Sequence, residues 1–296
     1  MKYRFRRRLI YTLLLFIDKF FLLIPYDVSI RFSRFCSKIV YIALGKYRRL
    51  TKKHLRFAFG NTKTEKEISK IARKVFINLG LSLIEILSLP KIKDRLDLMI
   101  DVKDIKKIDD ALAKGKGAVV ISAHFGNWEL ISIIFALKGY SANIIARPIY
   151  YEKYNEWITF LRNSMGVNVI YRTGSPKEIL RALHKNELVG ITPDQDIDSI
   201  DGTFVDFFGM KTYTPIGPVK IAMAAGSPIV PMFIVRNGKK HTIHIEDPIV
   251  IENIDNKSAA VKEYTQKWSD VIESYVRKYP EQWVWMHKRW KTKLPG

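Results

Sequence analysis

A short apolar run at residues 118–122 constrains the fold most tightly, because it ends in a Gly-Asn turn and leads directly into a second apolar stretch. The run Ala118-Val119-Val120-Ile121-Ser122 has the length and the β-branched content of a buried strand. Residues 130–137 have the spacing of an amphipathic helix, and residues 124–129, which come just before it, read His-Phe-Gly-Asn-Trp-Glu. A strand, turn and helix in this order place the intervening side chains at the C-terminal edge of a sheet.

The rest of the chain beyond residue 105 alternates between the two periods. Helices are predicted at 105–114, 127–137, 154–165, 176–185, 214–225 and 259–278, and strands at 118–123, 142–146, 167–171, 188–192, 228–235 and 241–246. Such alternation predicts an α/β domain whose sheet is largely parallel near the active edge. Residues 1–90 are predicted to be helical throughout, with one helix opening at Thr64 and stopping at Pro90.

The six-residue turn carries a candidate base and its partner. Asn127 is a suitable N-cap, which puts Glu129 in the first turn of the helix, where the helix dipole favours a carboxylate. His124 then faces an ionised carboxylate, and such a carboxylate fixes the tautomer of an imidazole and supports the charge that it gains. Phe125 and Trp128 supply apolar walls. Backbone N–H groups of Gly126 and Asn127 are candidates to stabilise an oxyanion.

Two other predicted strands end in residues of chemical interest. Arg147 is either a phosphate contact or a surface residue that closes a strand. The acidic run 192–202 fails as an EF-hand, since Ser199 and Val205 replace the required Gly and Glu, so it is a loop with Asp194 at the active edge. Phe207 and Phe208 either line an apolar slot for an acyl chain or pack in the core.

The net charge of the chain indicates anionic binding partners but does not distinguish among the kinds of anionic partner. Fifty Lys and Arg against 29 Asp and Glu give a formal net charge of +21, which indicates nucleic acid, anionic lipid or an acidic protein. The single cysteine, Cys36, excludes an internal disulfide framework, and no metal-ligand cysteine pattern exists. Three Trp among basic residues at 282–291 suit either a membrane interface or stacked bases.

The N-terminus combines basic residues with an apolar stretch from Leu9 to Ile24 that Asp18 and Lys19 interrupt. The two charges and the absence of a small-x-small cleavage site argue against a signal peptide. We expect membrane-associated helices over 1–45, with a buried first helix as the alternative. The α/β domain then covers 46–296, with 46–100 as a helical lead-in.

The chain resembles a known family through several words in order. His124-x4-Glu129 matches the His-x4-Asp/Glu signature of glycerolipid-type acyltransferases, and HFGNWE is similar to the form in bacterial lipid A biosynthesis (lauroyl/myristoyl) acyltransferases. The resemblance continues through the following words: Arg147-Pro148, Asp194-Gln195-Asp196, Phe-Val-x-Phe-Phe-Gly at 204–209, Thr-Pro-x-Gly-Pro at 214–218, and Trp-x-Trp-x-His-Lys-Arg-Trp-Lys at 283–291.

This resemblance implies a glycerolipid acyltransferase-like mixed sheet flanked by helices. It also implies a membrane-bound enzyme on the cytoplasmic face of the bacterial inner membrane, which moves a fatty acyl chain from acyl carrier protein to a hydroxyl of a lipid A precursor. In that enzyme His124 is the general base, Glu129 its partner, Arg147 an anionic-substrate contact and Asp194 a loop residue that supports the site. The expected reaction is direct, with no acyl-enzyme, no cofactor beyond the phosphopantetheine thioester of the donor, no metal and no nucleic acid.

Three alternatives stay open. The acceptor can be a lysophospholipid or a mannosylated phosphoinositide, since related acyltransferases share the dyad. A basic, membrane-tethered nucleic-acid-binding protein would bind any polyanion in a salt-sensitive way and would not need His124 or Glu129. A metal-dependent hydrolase would use His124 with Asp194 and Asp196 and lose activity on chelation. Acyl length, acylated position and oligomeric state are not encoded in these patterns.

Overall fold

The computed structural model describes residues 2–174, 176–252 and 256–294. The helices are α1 (Lys2–Leu23), α2 (Tyr26–Ala43), α3 (Gly45–Phe59), α4 (Glu65–Leu87), α5 (Leu89–Ile92), α6 (Leu96–Met99), α7 (Lys106–Leu112), α8 (Glu129–Leu137), α9 (Glu152–Ser164), α10 (Pro176–His184), α11 (Gly217–Ala225) and α12 (Lys257–Lys278). The strands are β1 (Ile100–Val102), β2 (Ala118–Ile121), β3 (Ala142–Ala146), β4 (Val167–Tyr171), β5 (Leu188–Ile191), β6 (Gly202–Phe207), β7 (Met210–Pro215), β8 (Ile229–Asn237) and β9 (Lys240–Ile245).

A seven-stranded mixed sheet in the order β1-β9-β8-β2-β5-β3-β4 organises the described residues. All neighbouring pairs are parallel except β8 and β9, which are antiparallel. Strand β2 lies at the centre and its four residues are buried. The predicted α/β class and the largely parallel active edge are therefore confirmed, and the end of β2 lies between the ends of β5 and β8.

Alternate residues of the central strands enter two cores, one on each face of the sheet. Val119 and Ile121 pack with residues of α10, α11 and α12. Val120, Leu188 and Met232 pack on the opposite face with residues of α7, α8 and α9. Because helices cover both faces, the polar groups of the strands are accessible only at the strand ends.

The N-terminal helices lie against α4. Phe21 of α1 and Ile30 of α2 are buried in a cluster with residues of α4, while Leu23, Phe35 and Ile42 are 85, 61 and 69 % exposed. Asp18 accepts a hydrogen bond from Trp157, and partial burial raises the pKa of the Asp18 carboxyl. The first helix is thus neither fully buried nor fully apolar, and the division of the chain at residue 45 stays a prediction.

Within the described part of the chain, no single helix has both the length and the apolar content to cross a membrane. The helical segments Glu65–Leu87 and Leu89–Met99 reach that length and apolar content only when they are taken together, and their axes are bent by 71° at the break between them.

Helix α4 shows why its predicted start was correct. The Thr64 hydroxyl accepts the backbone N–H of Glu67, and the Glu67 carboxylate accepts the backbone N–H of Thr64 at 2.8 Å. This reciprocal capping box satisfies two N–H groups that a helix leaves free. The helix ends at Leu87, before the predicted stop at Pro90, which lies in the first turn of the next short helix.

The prediction of a helix over 214–225 was wrong at its start. Residues 202–215 form the antiparallel hairpin β6–β7, and α11 begins only at Gly217. Phe208 and Gly209 occupy the two-residue turn with φ of 56° and 72°. Positive φ at both positions is the geometry that matches the twist of a hairpin. A Phe-Gly turn does not resemble the usual Asn-Gly or Asp-Gly signal, which is why the hairpin escaped prediction.

Candidate active site

A cavity of about 610 Å³ opens at the C-terminal edge of β2, β5 and β3 and continues inward beneath the sheet. Its mouth is polar and includes His124, Glu129, Arg147 and Gln195. Its inner wall is apolar and is made by residues of four adjacent strands and two helices, namely Val120, Ile131, Phe135, Ile144, Ile158, Leu188 and Met232. The cavity therefore joins ionisable side chains to a chamber suited to an apolar chain.

His124 is held at the mouth by Asp194. Nδ1 of His124 lies 2.7 Å from Oδ1 of Asp194, and the backbone N–H of His124 donates to Oδ2 at 2.9 Å. The indole N–H of Trp283 donates to the same Oδ2 at 2.8 Å. The carboxylate is 1 % exposed and the imidazole 23 %. Nδ1 therefore carries the hydrogen, and Nε2 is left with the lone pair that can accept a proton.

The electrostatics of this pair favour an ionised Asp194 and a basic His124. Burial raises the pKa of the Asp194 carboxyl, but the charge of His124 and its hydrogen bond outweigh burial and hold that pKa well below its usual value. Burial lowers the pKa of His124, but Asp194, and to a smaller extent Glu129, raise it above its ordinary value. A base of this kind gains a proton readily, because its partner is already charged.

The predicted pairing of His124 with Glu129 was wrong. Glu129 opens α8, as expected, but its carboxylate turns to α9, where Arg162 donates to it at 2.9 Å and 2.7 Å. Two charge-assisted hydrogen bonds in a fork geometry hold this ion pair, whose side chains are 16 and 15 % exposed. Glu129 lines the cavity beside His124 and acts on it through charge, whereas Asp194 makes the direct contact.

The turn at 126–127 supports the site from behind and is not open to a substrate. The N–H of Gly126 donates to the carbonyl of Gln282 at 2.8 Å, so it is not available to an oxyanion. Gly126 has φ of 60°, and a Cβ there would lie 2.0 Å from the carbonyl oxygen of Ile234. Asn127 is buried and is not the N-cap of α8, which is Trp128. The prediction that the N–H of Gly126 binds an oxyanion was therefore wrong, and Asn127 does not line the cavity.

The side chain of Asn127 instead joins a buried polar group below the turn. Its amide donates to Glu85 of α4 at 2.8 Å. Glu85 is 1 % exposed and also contacts Arg236 of β8 and His241 of β9. Burial raises the pKa of the Glu85 carboxyl, but His241 and Arg236 lower it more, so the group is ionised. This cluster ties α4 and two strands to the turn that carries His124.

Of the four aromatic residues predicted to line an acyl pocket, Trp128 alone borders the cavity. Its ring lies edge-on to His124 with centroids 5.0 Å apart. Phe125, Phe207 and Phe208 are buried in the core on the other face of the sheet. The core alternative therefore holds for Phe207 and Phe208, and the predicted wall at Phe125 was wrong. Since the cavity lies on the face of α8 and α9, the apolar lining comes from strand positions that sequence reasoning had assigned to the core.

Residues 280–294 cross the edge of the sheet and complete the site. Besides the Trp283 contact, the N–H of Val284 donates to the carbonyl of His124 at 3.0 Å. Asp196 accepts the backbone N–H groups of Lys291 and Thr292 at 2.9 Å and 2.7 Å. Asp196 is therefore engaged by this segment. No group of three or more His, Cys, Asp or Glu in the described ranges is arranged to hold a metal ion.

Sequence reasoning undervalued three further side chains at the mouth. The amide nitrogen of Gln195 lies 3.3 Å from Nε2 of His124, and the hydroxyl of Ser122 lines the cavity with no hydrogen-bond partner among the described residues. Arg172 follows β4 and lines the cavity with Arg147. A usable signal existed for Gln195 and Arg172, since each comes just after a predicted strand.

The family model described as bacterial lipid A biosynthesis acyltransferase matches residues 1–292. The chain belongs to this family. Among lipid A biosynthesis acyltransferases, the lauroyltransferase of Escherichia coli K12 is 25 % identical over 283 residues, which cover 92 % of this chain and 88 % of that protein. The lipid A biosynthesis acyltransferase of Haemophilus influenzae is 25 % identical over 257 residues, 85 % of this chain and 78 % of that protein.

A second group of relatives has names that state a different lipid acceptor. The phosphatidylinositol mannoside acyltransferase of Mycolicibacterium smegmatis is 28 % identical over 204 residues, 68 % of this chain. The match spans 65 % of the length of that protein. The names of both groups describe acyltransferases, and the reaction of this chain is proposed below.

Proposed function

We propose that this protein transfers a fatty acyl chain from the thioester of acyl carrier protein to a hydroxyl group of a lipid A precursor. One observation carries the proposal: an Asp194-supported His124 stands at the mouth of a cavity whose inner wall is apolar. A base at the entrance and a hydrocarbon-lined chamber behind it are what an acyl transfer to a hydroxyl needs. The family assignment supports the same reaction class.

In the proposed reaction, Nε2 of His124 takes the proton of the acceptor hydroxyl as its oxygen attacks the thioester carbonyl. A C–O bond forms, the tetrahedral intermediate collapses, and the C–S bond breaks. The phosphopantetheine sulfur leaves and takes the proton back from His124, so the base is restored. Asp194 fixes the tautomer and stabilises the imidazolium, the role that a buried carboxylate has beside a catalytic histidine. No acyl-enzyme, metal or further cofactor enters these steps.

Two donors at the mouth are suited to the oxyanion, now that Gly126 is excluded. The hydroxyl of Ser122 is buried, lines the cavity and has no partner in the described structure. The amide of Gln195 lies beside Nε2 of His124. A preorganised donor of this kind lowers the barrier by about 3 kcal/mol in other enzymes.

Membrane association is proposed on the exposed apolar face of the N-terminal helices. Leu23 of α1 and Phe35 and Ile42 of α2 are exposed, and the exposed basic residues Arg31, Arg34 and Lys38 also lie on α2. An apolar face flanked by cations suits an anionic leaflet, which we take to be the cytoplasmic face of the bacterial inner membrane. The net charge of +21 also suits an acidic carrier protein and an anionic glycolipid.

The assay is acyl transfer by detergent-purified protein from labelled acyl carrier protein to a Kdo-bearing tetraacylated lipid A precursor. We expect His124→Ala to lower turnover at least about 100-fold while the protein stays folded, as judged by circular dichroism. The matched control is His184→Ala, since His184 is exposed on α10 and lies outside the cavity. Turnover near that of the wild type in His124→Ala would refute the assigned base.

A second acceptor class is favoured by the match to phosphatidylinositol mannoside acyltransferases. A mannosylated phosphoinositide and a lysophospholipid are therefore offered as acceptors beside the lipid A precursor. Product from one of these alone would keep the His124 mechanism and change the acceptor. Transfer to none of the three would refute the proposed function.

A further inference from the structure

Two arginines come side by side from neighbouring strand ends at the cavity mouth. Strands β3 and β4 pair in parallel with Ala146 opposite Tyr171, and the backbone N–H of Arg172 donates to the carbonyl of Ala146 at 2.9 Å. Arg147 and Arg172 are the next residues of the two strands, and both line the cavity. The main chain therefore fixes two guanidinium-bearing residues as neighbours.

Neither guanidinium is neutralised within the described structure. No carboxylate there lies within 4.0 Å of Arg147 or Arg172, and neither side chain makes a hydrogen bond with the described residues. The other cations of the cavity are paired, Arg162 with Glu129 and Lys291 with Asp198 at 2.9 Å. Like charges at facing positions of adjacent strands repel each other, and an anion bound between the two guanidinium groups would relieve that repulsion.

The acidic loop beside the cavity does not supply that anion. Asp196 is occupied by the backbone N–H groups of Lys291 and Thr292, and Asp198 by the ammonium group of Lys291. The carboxylates of Asp196 and Asp198 are thus already paired with residues 291–292. An anion that bridges Arg147 and Arg172 would therefore come from outside the described residues.

We infer that Arg147 and Arg172 together bind one phosphate group of a substrate at the mouth of the cavity. A guanidinium presents its N–H donors in a planar fork that fits phosphate oxygens, and two forks from adjacent strands surround one tetrahedral anion. This inference rests on the proposed function, in which both substrates carry phosphate: the pantetheine arm of the donor and the head group of an anionic acceptor.

The position in the sheet separates this phosphate from the reacting atoms. Strands β3 and β4 are two and three places from β2, which leads to His124. At about 4.8 Å between strands, the two arginines stand roughly 10–14 Å from the line of His124 along the sheet edge. The phosphate therefore lies away from the reacting atoms and serves to position a substrate. Loss of the phosphate contact should raise KM more than it lowers kcat.

Kinetics with both substrates varied test the inference. We expect Arg147→Gln and Arg172→Gln each to raise one KM by about 10- to 100-fold, with the same substrate affected in both and little change in kcat. Because the two side chains share one ligand, the double variant should be less impaired than the product of the single effects. Arg181→Gln removes the same charge on α10, outside the cavity, and should leave both KM values unchanged.

Substrate analogues then identify the source of the phosphate. If the donor supplies it, the penalty disappears when acyl-pantetheine replaces acyl-phosphopantetheine. If the acceptor supplies it, the penalty disappears with a dephosphorylated acceptor. A penalty that persists with both analogues, or an Arg172→Gln enzyme that matches Arg181→Gln, would overturn the inference.

A binding measurement separates this inference from the proposed function. Inorganic phosphate and pyrophosphate should raise the melting temperature of the wild type and of Arg181→Gln in a dose-dependent way, and should not affect the double variant. This result stands even if no acyl transfer is detected. Equal stabilisation of the wild type and the double variant would refute the phosphate site regardless of the reaction.

Discussion

Under the proposed function, Gly190 is the position where one added side chain should change which acyl chains are accepted. Gly190 lies in β5, paired with Val120 of β2 on one side and Ile144 of β3 on the other, and all three line the cavity. The missing side chain leaves a trough between two larger residues on the face that α8 covers. An acyl chain that enters past His124 would run along this trough.

The backbone tolerates a side chain at Gly190. A Cβ would lie 3.5 Å from both the carbonyl oxygen of Asn143 and Cγ2 of Ile144, which is ordinary contact. A β-branched residue also suits a strand. A Cβ at this position therefore does not displace the sheet, and we expect the two methyl groups of Val to occupy cavity space.

The size of the effect follows from the methylene groups excluded. The three carbons of the Val side chain displace about two to three methylene groups, each worth about 0.8 kcal/mol of burial. The loss is then about 1.6–2.4 kcal/mol, or roughly 15- to 60-fold in kcat/KM for chains long enough to reach Gly190. Chains that end above Gly190 should keep their wild-type values, and Gly190→Ala should cost long chains only about 4-fold.

The assay is competition among acyl carrier protein thioesters of graded chain length, with products resolved by mass. Filling an apolar cavity should also raise the melting temperature slightly. A uniform loss at all chain lengths would mean that the substitution damages the enzyme generally. An unchanged preference with a raised melting temperature would refute the assignment of this cavity to the acyl chain.

Three further predictions concern the pair at the mouth, the buried charge cluster and the N-terminal helices. In Asp194→Asn the pKa of His124 should fall, because the imidazole loses its anionic partner. The acid limb of the pH–rate profile should therefore move to lower pH, and kcat should drop by at least about 100-fold. An acid limb that stays in place would contradict the pairing. Glu85→Ala leaves Arg236 buried without its carboxylate and should cost about 3–5 kcal/mol of unfolding free energy, read by urea titration; a loss below 1 kcal/mol would show that the cluster is not needed. Leu23→Glu, on the exposed apolar face, should weaken sedimentation with anionic vesicles about 10-fold without affecting transfer in detergent; unchanged sedimentation would argue against that face.

The positions of the strands were predictable because their signal is local. The bounds of β3 and β4 match those expected from the apolar runs at 142–146 and 167–171, and the placement of His124 after β2 follows from the same reasoning. The order of the strands is not a local property. Only the sheet shows that β5 lies beside β2, which brings Asp194 rather than Glu129 to Nδ1 of His124.

The remaining errors have a similar cause. The choice of Phe125, Phe207 and Phe208 as acyl contacts relied on their nearness in sequence to the active edge, but which face of a sheet encloses a cavity depends on how closely its helices pack. Gly126 was taken as a donor because of its turn, whereas the structure requires glycine there for the close approach of Ile234. A glycine in a turn has the same sequence signal whether its N–H binds a substrate or its lack of a side chain allows close packing. Only the packing in the structure distinguishes these two roles.

Residues 282–292 contact His124, Gly126 and the acidic loop, and this affects when the site can form during synthesis of the chain. The strand that leads to His124 is synthesised long before Trp283, and at ordinary elongation rates the ribosome needs on the order of ten seconds to cover the interval. Throughout that time the nascent chain has its histidine but lacks the indole that holds Asp194. A premature stop codon ahead of position 283 would therefore leave every strand of the sheet encoded and still yield a protein without a working centre.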